Sequence, residues 1–444
     1  MSYEAIALLM FASMVVLLLT GQRVFAAIGF VASGMVLLLY GTGGIEIPFS
    51  QAFKLFNWFP MLTLPLFIYM GYVLSESGIA EDLYKMLHVW MGGLSGGLAI
   101  GTIFLMVIIS AMNGLSVAGM AIGATIALPE MLRRGYDKIL ITGVVQGGSS
   151  LGILVPPSVV LVLYGMIARQ PVSQLWLAGV LPGLLMAAMF TLYVWLRVRI
   201  QPKLAPALNE DDLAMSMAEK MRLLRAGILP CLIFFFMSGL FVMGVTSLVE
   251  SAAVGATAAT LAALLKRRLT LRVLHDTAHK TLAISCMFLW LILAALAFGA
   301  VFDGIGAVRA IENLFVNNWE LGPWQVIIMM QLSFIVMGMF LDDTAMLVIV
   351  APLYVPLVRL LDLGIENPLI WFGILYTITC QIAYITPPFG YNLFLMRSLA
   401  PAEIRLTDIY RSIWPFVLMM GATIALVMLF PQIALWLPSV LNVR

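Results

Sequence analysis

The fold is decided by a stretch that begins at Gly147 and reads GGSSLGILVPPS as far as Ser158. A second stretch, AYITPPFGYN at 383–392, repeats its Pro-Pro pair 231 residues later. Proline removes an N–H donor and glycine lets the backbone unwind, so each stretch predicts a helix broken at its middle. Both stretches lie inside apolar runs, at 139–166 and 369–398. Non-helical backbone at membrane depth is tolerated only where it is buried in protein or lines a cavity, so the breaks indicate a functional interior.

Composition places the whole chain in lipid. Of its 444 residues, 62% are hydrophobic and 10% are charged, and the mean hydropathy is +1.05. A soluble domain carries about a quarter charged residues, so this chain cannot cover a water-facing surface. The net charge of +2 gives no basis for nucleic-acid binding. The chain is therefore predicted to be an all-α integral membrane protein.

Other apolar runs are long enough to span about 30 Å of hydrocarbon. They lie near 4–20, 24–41, 58–75, 173–197, 226–243, 250–265, 283–303 and 411–438. Two further runs, 95–132 and 323–362, carry glycine and polar residues near their middle. A single helix over either run would overshoot the bilayer by roughly 25 Å. We therefore predict two re-entrant hairpins, each of which enters and leaves the membrane on one side.

The distribution of lysine and arginine predicts the orientation. With both hairpins re-entrant, all the basic clusters fall on one side, which the positive-inside rule assigns to the cytoplasm. These clusters lie within 133–138, 197–225, 266–280 and 397–411. The segments on the other side, which hold few basic residues, are near 42–57, 244–249, 304–322 and 363–368. The chain is thus predicted to cross the membrane many times, with its N-terminus outside.

An internal repeat relates the two halves of the chain. Each half reads as a crossing, a short amphipathic segment, a long hairpin and a broken helix with a Pro-Pro pair. The first hairpin opens to the cytoplasm and the second to the outside, so the halves are inverted. Inverted repeats with broken helices are the architecture of secondary transporters, and they favour alternating access over a continuous channel. With three scattered histidines and no nucleophile–base pair or metal cluster, the chain is not predicted to be an enzyme.

Four irregular segments carry the candidate binding groups. Two are the broken helices, and two are the hairpin tips, SAMNGLS at 110–116 and GMFLDDT at 338–344. Freed carbonyls and the oxygens of serine, threonine and asparagine are hard ligands suited to Na⁺, and half-helix N-termini favour a substrate carboxylate. The substrate or coupling candidates are Ser149, Ser150, Asp342, Asp343 and Asn392. Carboxylates at membrane depth are costly, so the two aspartates are predicted to tune a cation site, carry a proton or cap the turn.

At these motifs the sequence resembles the large membrane subunit of tripartite ATP-independent periplasmic (TRAP) transporters, over essentially the whole chain. The strongest marks are LPEMLRRGYDK at 128–138, GILVPPS at 152–158 and ITPPFG at 385–390. The resemblance implies an elevator-type sodium symporter of the bacterial inner membrane. It also implies a periplasmic binding protein that delivers a small organic anion, and a small four-helix membrane subunit that is expected to be a separate chain.

The same resemblance implies two Na⁺ sites and no other cofactor. Motif matching assigns the first site to Asn113, Ser116, Gly152, Val155 and Pro156. It assigns the second site to Gly338, Ala383, Thr386 and Phe389. The family usually carries serine in place of Asn113 and glycine in place of Ala383. Asparagine still offers an oxygen, and alanine contributes only its carbonyl.

In an elevator the hairpins and broken helices travel together against a scaffold. Residues 1–94 are expected to form scaffold and a first arm, 95–166 the first transport half, and 167–322 scaffold, a cytoplasmic loop and a second arm. Residues 323–398 are expected to form the second transport half and 399–444 a C-terminal membrane helix. An alternative that the residues leave open is a stand-alone sodium- or proton-coupled carrier of organic anions that needs no binding protein.

Overall fold

The computed structural model describes the chain as helices joined by short turns. It covers residues 3–91, 94, 96–114, 116–206, 216–306, 321–339, 341, 343–387 and 390–441. The helices are, in chain order, α1 (Tyr3–Leu19), α2 (Val24–Tyr40), α3 (Glu46–Phe56), α4 (Thr63–Glu76), α5 (Ile79–Met91), α6 (Gly97–Asn113), α7 (Ser116–Ile122), α8 (Leu128–Arg133), α9 (Lys138–Ser150), α10 (Val159–Ala168), α11 (Val172–Ile200), α12 (Met217–Val242), α13 (Leu248–Leu265), α14 (Leu271–Gly304), α15 (Pro323–Gly338), α16 (Asp343–Leu360), α17 (Pro368–Tyr384), α18 (Tyr391–Leu399), α19 (Leu406–Ser412), α20 (Trp414–Leu429) and α21 (Gln432–Leu441). Within this part of the chain, eight helical segments are long and apolar enough to cross a membrane, which confirms the membrane class.

Both predicted hairpins are present. The first consists of α6 and α7, which turn at Gly114, and its second limb continues through a π-helical turn at Gly123–Ala127 into α8. Gly114 has a φ of 67°, a left-handed conformation that glycine adopts without steric cost. The second hairpin consists of α15 and α16.

Both predicted helix breaks are also present. Helix α9 ends at Ser150, a short 3₁₀ turn covers Leu151–Ile153, and α10 begins only at Val159. The Ser158 hydroxyl caps α10 by accepting a hydrogen bond from the Leu161 N–H at 3.2 Å. In the second half, α17 ends at Tyr384 and α18 begins at Tyr391, so the Pro-Pro pair again separates two half-helices.

The two halves pack with matching relations. The first limb of each hairpin lies against the first part of its own broken helix, α6 on α9 and α15 on α17. The second part of each broken helix instead reaches the opposite hairpin, α10 against α16 and α18 against α7. Hairpins and breaks from both halves therefore form one interlocked group.

The remaining helices fall into a second group. Helix α14 packs on α2, α3 and α4, α13 packs on α4 and α12, and α12 packs on α5. Helices α11 and α20 do not follow this pattern, because α11 lies against α6, α9, α10 and α17, and α20 lies against α11 and α17. Their packing contacts therefore assign both helices to the group of hairpins and broken helices.

Two local features differ from the sequence expectation. The segment 42–57, predicted to face outward, holds a complete helix, α3, whose Gln51 and Leu55 are buried while Phe53 and Phe56 are exposed. The C-terminal run 411–438, expected as one crossing, is interrupted between α20 and α21. Phe430 leaves the helical conformation, with φ −127° and ψ 78°, and Pro431 has no N–H to continue the helix.

The first arm, α5, is held to the second group by a buried carboxylate. Asp82 accepts hydrogen bonds from the Lys266 Nζ at 2.7 Å and from Arg268 at 2.9 Å. Arg268 also donates to the Gly78 carbonyl at 2.9 Å, so the start of the arm is fixed at two points. The Asp82 side chain is only 12% exposed, which limits screening of these pairs by water.

Replacing Asp82 with asparagine is expected to loosen the arm without unfolding the protein. Loss of the carboxylate removes two partly buried ion pairs, which together stabilise the contact by about 1 kcal/mol. Amide exchange in α5 should therefore be about fivefold faster, as measured by hydrogen exchange. Asp276→Asn is the matched control because its pair with Arg272, at 3.8 Å, is exposed. Unchanged exchange in the Asp82 variant would contradict the anchoring role.

Candidate functional site

The first hairpin tip lies directly on the first helix break. The Gly114 carbonyl accepts a hydrogen bond from the Val159 N–H at 3.2 Å. A Cβ atom at Gly114 would lie 2.8 Å from Val159 Cγ2 and 3.2 Å from the Pro157 carbonyl oxygen, so a side chain has no room there. Prolines at 156 and 157 offer no N–H to the carbonyls four residues earlier, Gly152 and Ile153. The Ser158 hydroxyl donates to the Ile153 carbonyl in place of the missing N–H. The Gly152 carbonyl remains without a helical donor.

Two of the first site's predicted members, Val155 and Pro156, lie in the same break. The Val155 N–H donates to the Leu151 carbonyl at 2.9 Å, a helix-like bond that adds one turn after the 3₁₀ segment. Helix α11 closes the outside of the turn, because a Cβ at Gly179 would lie 2.5 Å from the Leu154 carbonyl oxygen. Asn113 ends α6, and its side chain is not among those that the structure describes.

Ser116, the remaining member of that set, connects the first tip to the second half of the chain. Its Oγ accepts a hydrogen bond from Asn392 Nδ2 at 3.0 Å, and both side chains are buried. The Asn392 Oδ1 is also buried and has no hydrogen-bond partner among the described residues. A buried amide oxygen without a donor is costly unless a cation or a ligand satisfies it. Asn392, predicted as a substrate or coupling residue, is thus placed at the first tip.

The second hairpin tip repeats this arrangement at the second break. Gly338 ends α15, and a Cβ there would lie 2.3 Å from the Ala383 Cβ. Thr386 donates from Oγ1 to the Ile382 carbonyl at 2.5 Å, which leaves its oxygen lone pairs available. A Cβ at Gly390 would lie 2.8 Å from the Thr386 carbonyl oxygen, so the chain folds closely over this turn. Gly338, Ala383 and Thr386 therefore meet at one place.

Two predicted residues of the second tip and break, Phe389 and Asp342, lie outside the described residues. The neighbouring Asp343 is buried at the start of α16. One of its carboxylate oxygens accepts from the Thr344 N–H at 2.8 Å and from the Thr344 hydroxyl at 3.2 Å, and Tyr384 also hydrogen-bonds the carboxyl group. This carboxyl group therefore joins the second tip to the end of α17, next to the break.

The two breaks are joined to each other by Gln381, a residue that the sequence analysis did not single out. Gln381 Nε2 donates to the Ser150 carbonyl at 3.0 Å, and these two residues are 231 positions apart. The same spacing separates Pro156 from Pro387 and Gly152 from Ala383, so equivalent positions of the repeat meet. The Ser149 and Ser150 hydroxyls donate to carbonyls of their own helix, at 3.0 and 2.7 Å.

A second polar link, also missed from sequence, ties α9 to α19. Gln146 Nε2 donates to the Ser412 hydroxyl at 3.1 Å inside the protein, and Lys138 pairs with Asp408 at 2.7 Å at the start of both helices. A Cβ at Gly143 would lie 2.5 Å from the Ser412 carbonyl oxygen, so the helices touch through their backbones. The only sequence signal was an uncharged amide inside an apolar run.

The second limb of the first hairpin carries an ion cluster at α8, next to the first arm, α5. Glu130 accepts from Arg133 at 2.8 Å and from Arg134 at 2.7 Å, and His88 of α5 lies 3.9 Å away. Partial burial opposes ionisation of Glu130, but the hydrogen bonds from Arg133 and Arg134 outweigh it and hold its pKa below the usual range. The LPEMLRRGYDK motif thus supplies a charged contact between hairpin and arm.

Comparison with known proteins assigns the architecture and a family. The family model described as "Tripartite ATP-independent periplasmic transporter, DctM component" matches residues 11–433. The C4-dicarboxylate TRAP transporter large permease protein DctM of Pseudomonas aeruginosa is 26% identical over 409 residues, which are 92% of this chain and 93% of that protein. The ectoine/5-hydroxyectoine large permease UehC of Ruegeria pomeroyi is 28% identical over 432 residues, 96% of this chain and 97% of that one.

A solved structure has the same fold. The YdaH transporter of Alcanivorax borkumensis superposes with a TM-score of 0.63 over 88% of this chain and 89% of that chain. The sequence identity is 14%, so this likeness concerns the fold alone. Together with the described helices, it confirms the prediction of an all-helical membrane fold with hairpins and broken helices.

Proposed function

The chain belongs to the DctM component family of tripartite ATP-independent periplasmic transporters, and from this premise we propose that it couples sodium entry to import of a small organic anion. It is the translocating large permease of such a system, a multi-pass membrane protein whose relatives are permeases. The proposal adds the coupling ion, the substrate class, the bacterial inner membrane and a periplasmic N-terminus.

One observation carries the sodium proposal. Each break lies against a glycine of its own hairpin tip, and the Pro-Pro pairs, 231 residues apart, deprive carbonyls of the breaks of their helical donors. Carbonyl, hydroxyl and amide oxygens are hard ligands that suit Na⁺. We assign the first Na⁺ to Asn113, Ser116, Gly152, Val155 and Pro156, and the second to Gly338, Ala383, Thr386 and Phe389. The buried Asn392 Oδ1 supports an electropositive ligand close to the first set.

The organic anion is proposed to bind between the two tips. Ser149, Ser150, Asp342, Asp343 and Asn392 are its candidate contacts or the residues that couple it to sodium. Two relatives are named as permeases for C4-dicarboxylates and for ectoine. From these names we propose for this chain only a substrate class, small charged organic solutes. The family name also supports a periplasmic binding protein and a small membrane subunit as partners.

The packing supports an elevator with a larger moving unit than the sequence suggested. We propose that α11 and α20 move with both hairpins and both broken helices, because their contacts lie on that group. Helices α1–α5 and α12–α14 are then the scaffold, and α5 is the first connecting arm. The second arm, expected near 304–318, lies mostly outside the described residues.

The direct test is uptake into proteoliposomes that contain the chain and its small partner. A candidate organic acid is supplied on the cognate binding protein, with and without an inward Na⁺ gradient. Uptake that requires both the gradient and the binding protein is the expected result. Uptake of free substrate without the binding protein would instead establish a stand-alone carrier.

Thr386→Ala should raise the Na⁺ concentration for half-maximal uptake by about tenfold, since it removes one oxygen ligand worth roughly 1.4 kcal/mol. Thr386→Ser keeps the oxygen and should behave like the unmodified protein. Thr377→Ala is the matched control because that hydroxyl lies on α17, before the break, and donates to a carbonyl of its own helix at 2.8 Å. Equal Na⁺ dependence in all three variants would reject the second site.

A further inference from the structure

An outer crevice separates the proposed moving unit from the scaffold. Two adjoining cavities, of about 130 and 530 Å³, share Arg169 and Leu296 as walls. Arg169 follows α10, Arg359 lies near the end of α16, and Asp303 lies near the end of α14, and all three line the smaller cavity. Lys54 of α3 lines the larger one. The crevice is thus bordered by both the proposed scaffold and the proposed moving unit.

Under the proposed orientation, the basic residues of this crevice lie on the opposite side of the membrane from most basic residues of the chain. In that orientation, Lys54, Arg169 and Arg359 are the basic residues that the described part of the chain places at the outer face. All three line the crevice, whereas the remaining described lysines and arginines lie on the cytoplasmic side. The positive-inside rule makes outer basic residues uncommon, so their convergence on one crevice indicates a function.

A hydrogen bond fixes the Arg359 side chain beside the end of α10, where Arg169 lies. Arg359 donates to the Ala168 carbonyl at 2.9 Å, which brings its guanidinium next to residue 169. Arg169 has a φ of 55° as the residue that ends α10. Because both arginines line one small cavity, their positive charges repel each other there, and a bound anion would relieve this repulsion. Asp303 lines the same cavity, but within the described residues it forms no ion pair with either arginine.

The cavity has a floor and enough room for a small molecule. Below it, α14 and α16 approach so closely that a Cβ at Gly299 would lie 3.1 Å from the Pro352 Cβ. A volume of about 130 Å³ is well above that needed for one water molecule. Its other walls are mainly apolar, which strengthens the attraction between the guanidinium groups and an anion.

We propose that this crevice is an outer reception site for a small organic anion, in which Arg169 and Arg359 hold a carboxylate before it reaches the central site. The site rests on the proposed import function for its role, but its charge and geometry are independent of sodium. Asp303 opposes binding, so the anion is retained weakly enough to move on. Lys54 extends the positive field toward the mouth of the crevice.

Sodium-free binding of a carboxylate probe tests the site directly. Thermal unfolding of the chain with its small partner is measured in nanodiscs against increasing succinate, because a ligand that binds the folded state raises the Tm. Arg359→Gln and Arg169→Asn should each weaken the apparent succinate affinity about fivefold, and Asp303→Asn should strengthen it by a similar factor. Asparagine tolerates the left-handed backbone at 169. Arg272→Gln, at a 92% exposed cytoplasmic side chain, should change nothing.

The arginine variants and the Asp303 variant are expected to change the succinate affinity in opposite directions. Absence of stabilisation in the unmodified protein, arginine variants that bind succinate as tightly as the unmodified protein, or weaker binding in Asp303→Asn would each overturn the site. Stabilisation by succinate together with no sodium-dependent uptake would reject the proposed function and still support the anion site.

Uptake then tests the reception role. The concentration of loaded binding protein for half-maximal uptake should rise about fivefold in both arginine variants, with unchanged Na⁺ dependence. The arginines could instead contact an acidic side chain of the binding protein. To distinguish this from contact with the substrate carboxylate, substrate-free binding protein is added as a competitor. Unchanged competition supports the reception site. Weaker competition in the arginine variants would show that they contact the binding protein, and would overturn it.

Discussion

Gly338→Ala is expected to reduce sodium-dependent uptake at least tenfold. The new Cβ would lie 2.3 Å from the Ala383 Cβ, well inside van der Waals contact, so the second tip must move away from the second break. Overpacking of this kind costs about 1–3 kcal/mol, and it would displace the carbonyls that we assign to the second Na⁺ site. Half-maximal uptake should therefore require much more Na⁺, measured in proteoliposomes.

A second substitution should reverse this loss. Ala383→Gly in the Gly338→Ala background removes the colliding methyl group and is expected to restore most of the uptake. Gly421→Ala on α20 is the control, because no atom lies within 4 Å of the added Cβ. If the double variant remains inactive while its assembly and thermal stability are normal, steric separation of tip and break is not the cause.

Asn392→Leu is expected to have a similarly large effect through the first tip. The substitution removes the donor that holds Ser116 Oγ at 3.0 Å and the buried Oδ1 that we assign to the electropositive site. Ser116 would be left without this bond, at a cost of about 1–3 kcal/mol. We expect uptake to fall at least tenfold and the cooperativity of Na⁺ activation to decrease.

A double-mutant cycle separates this link from general damage. Ser116→Ala and Asn392→Leu should be clearly non-additive, with a coupling of about 0.5–3 kcal/mol in the Na⁺ dependence. Thr423→Val is the control for replacing a buried polar side chain, because its hydroxyl donates to its own helix at 2.9 Å. Strictly additive effects of the two site variants would show that the hydrogen bond does not position Ser116.

The hairpins and breaks could be predicted because their causes are local. Glycine at 114 and the Pro-Pro pairs alter the backbone where they stand, and an apolar run too long for the bilayer must turn back. The positions of Ser116, Thr386 and Asn392 beside these turns followed from the same motifs. The two Na⁺ assignments remain predictions that the uptake experiments address.

The features that were missed depend on contacts between distant parts of the chain. Gln381 and Gln146 acquire their roles from partners 231 and 266 residues away, and a single sequence does not show such pairs. Whether a given proline ends its helix also could not be predicted from the sequence. Pro182 and Pro230 lie within continuous helices, whereas Pro431 accompanies the end of α20. Neighbouring helices can satisfy the carbonyl that a proline frees, so its local effect depends on tertiary packing.

The hydrogen bond between Gln381 and Ser150 also has a consequence for biogenesis. At a synthesis rate of about 5–20 residues per second, Gln381 leaves the ribosome roughly 10–50 seconds after Ser150. During that interval the Ser150 carbonyl, already in the nascent first half, must be hydrated or shielded, since an unsatisfied carbonyl in hydrocarbon costs several kcal/mol. The first broken helix can therefore acquire its final hydrogen bonding only after the second has been synthesised.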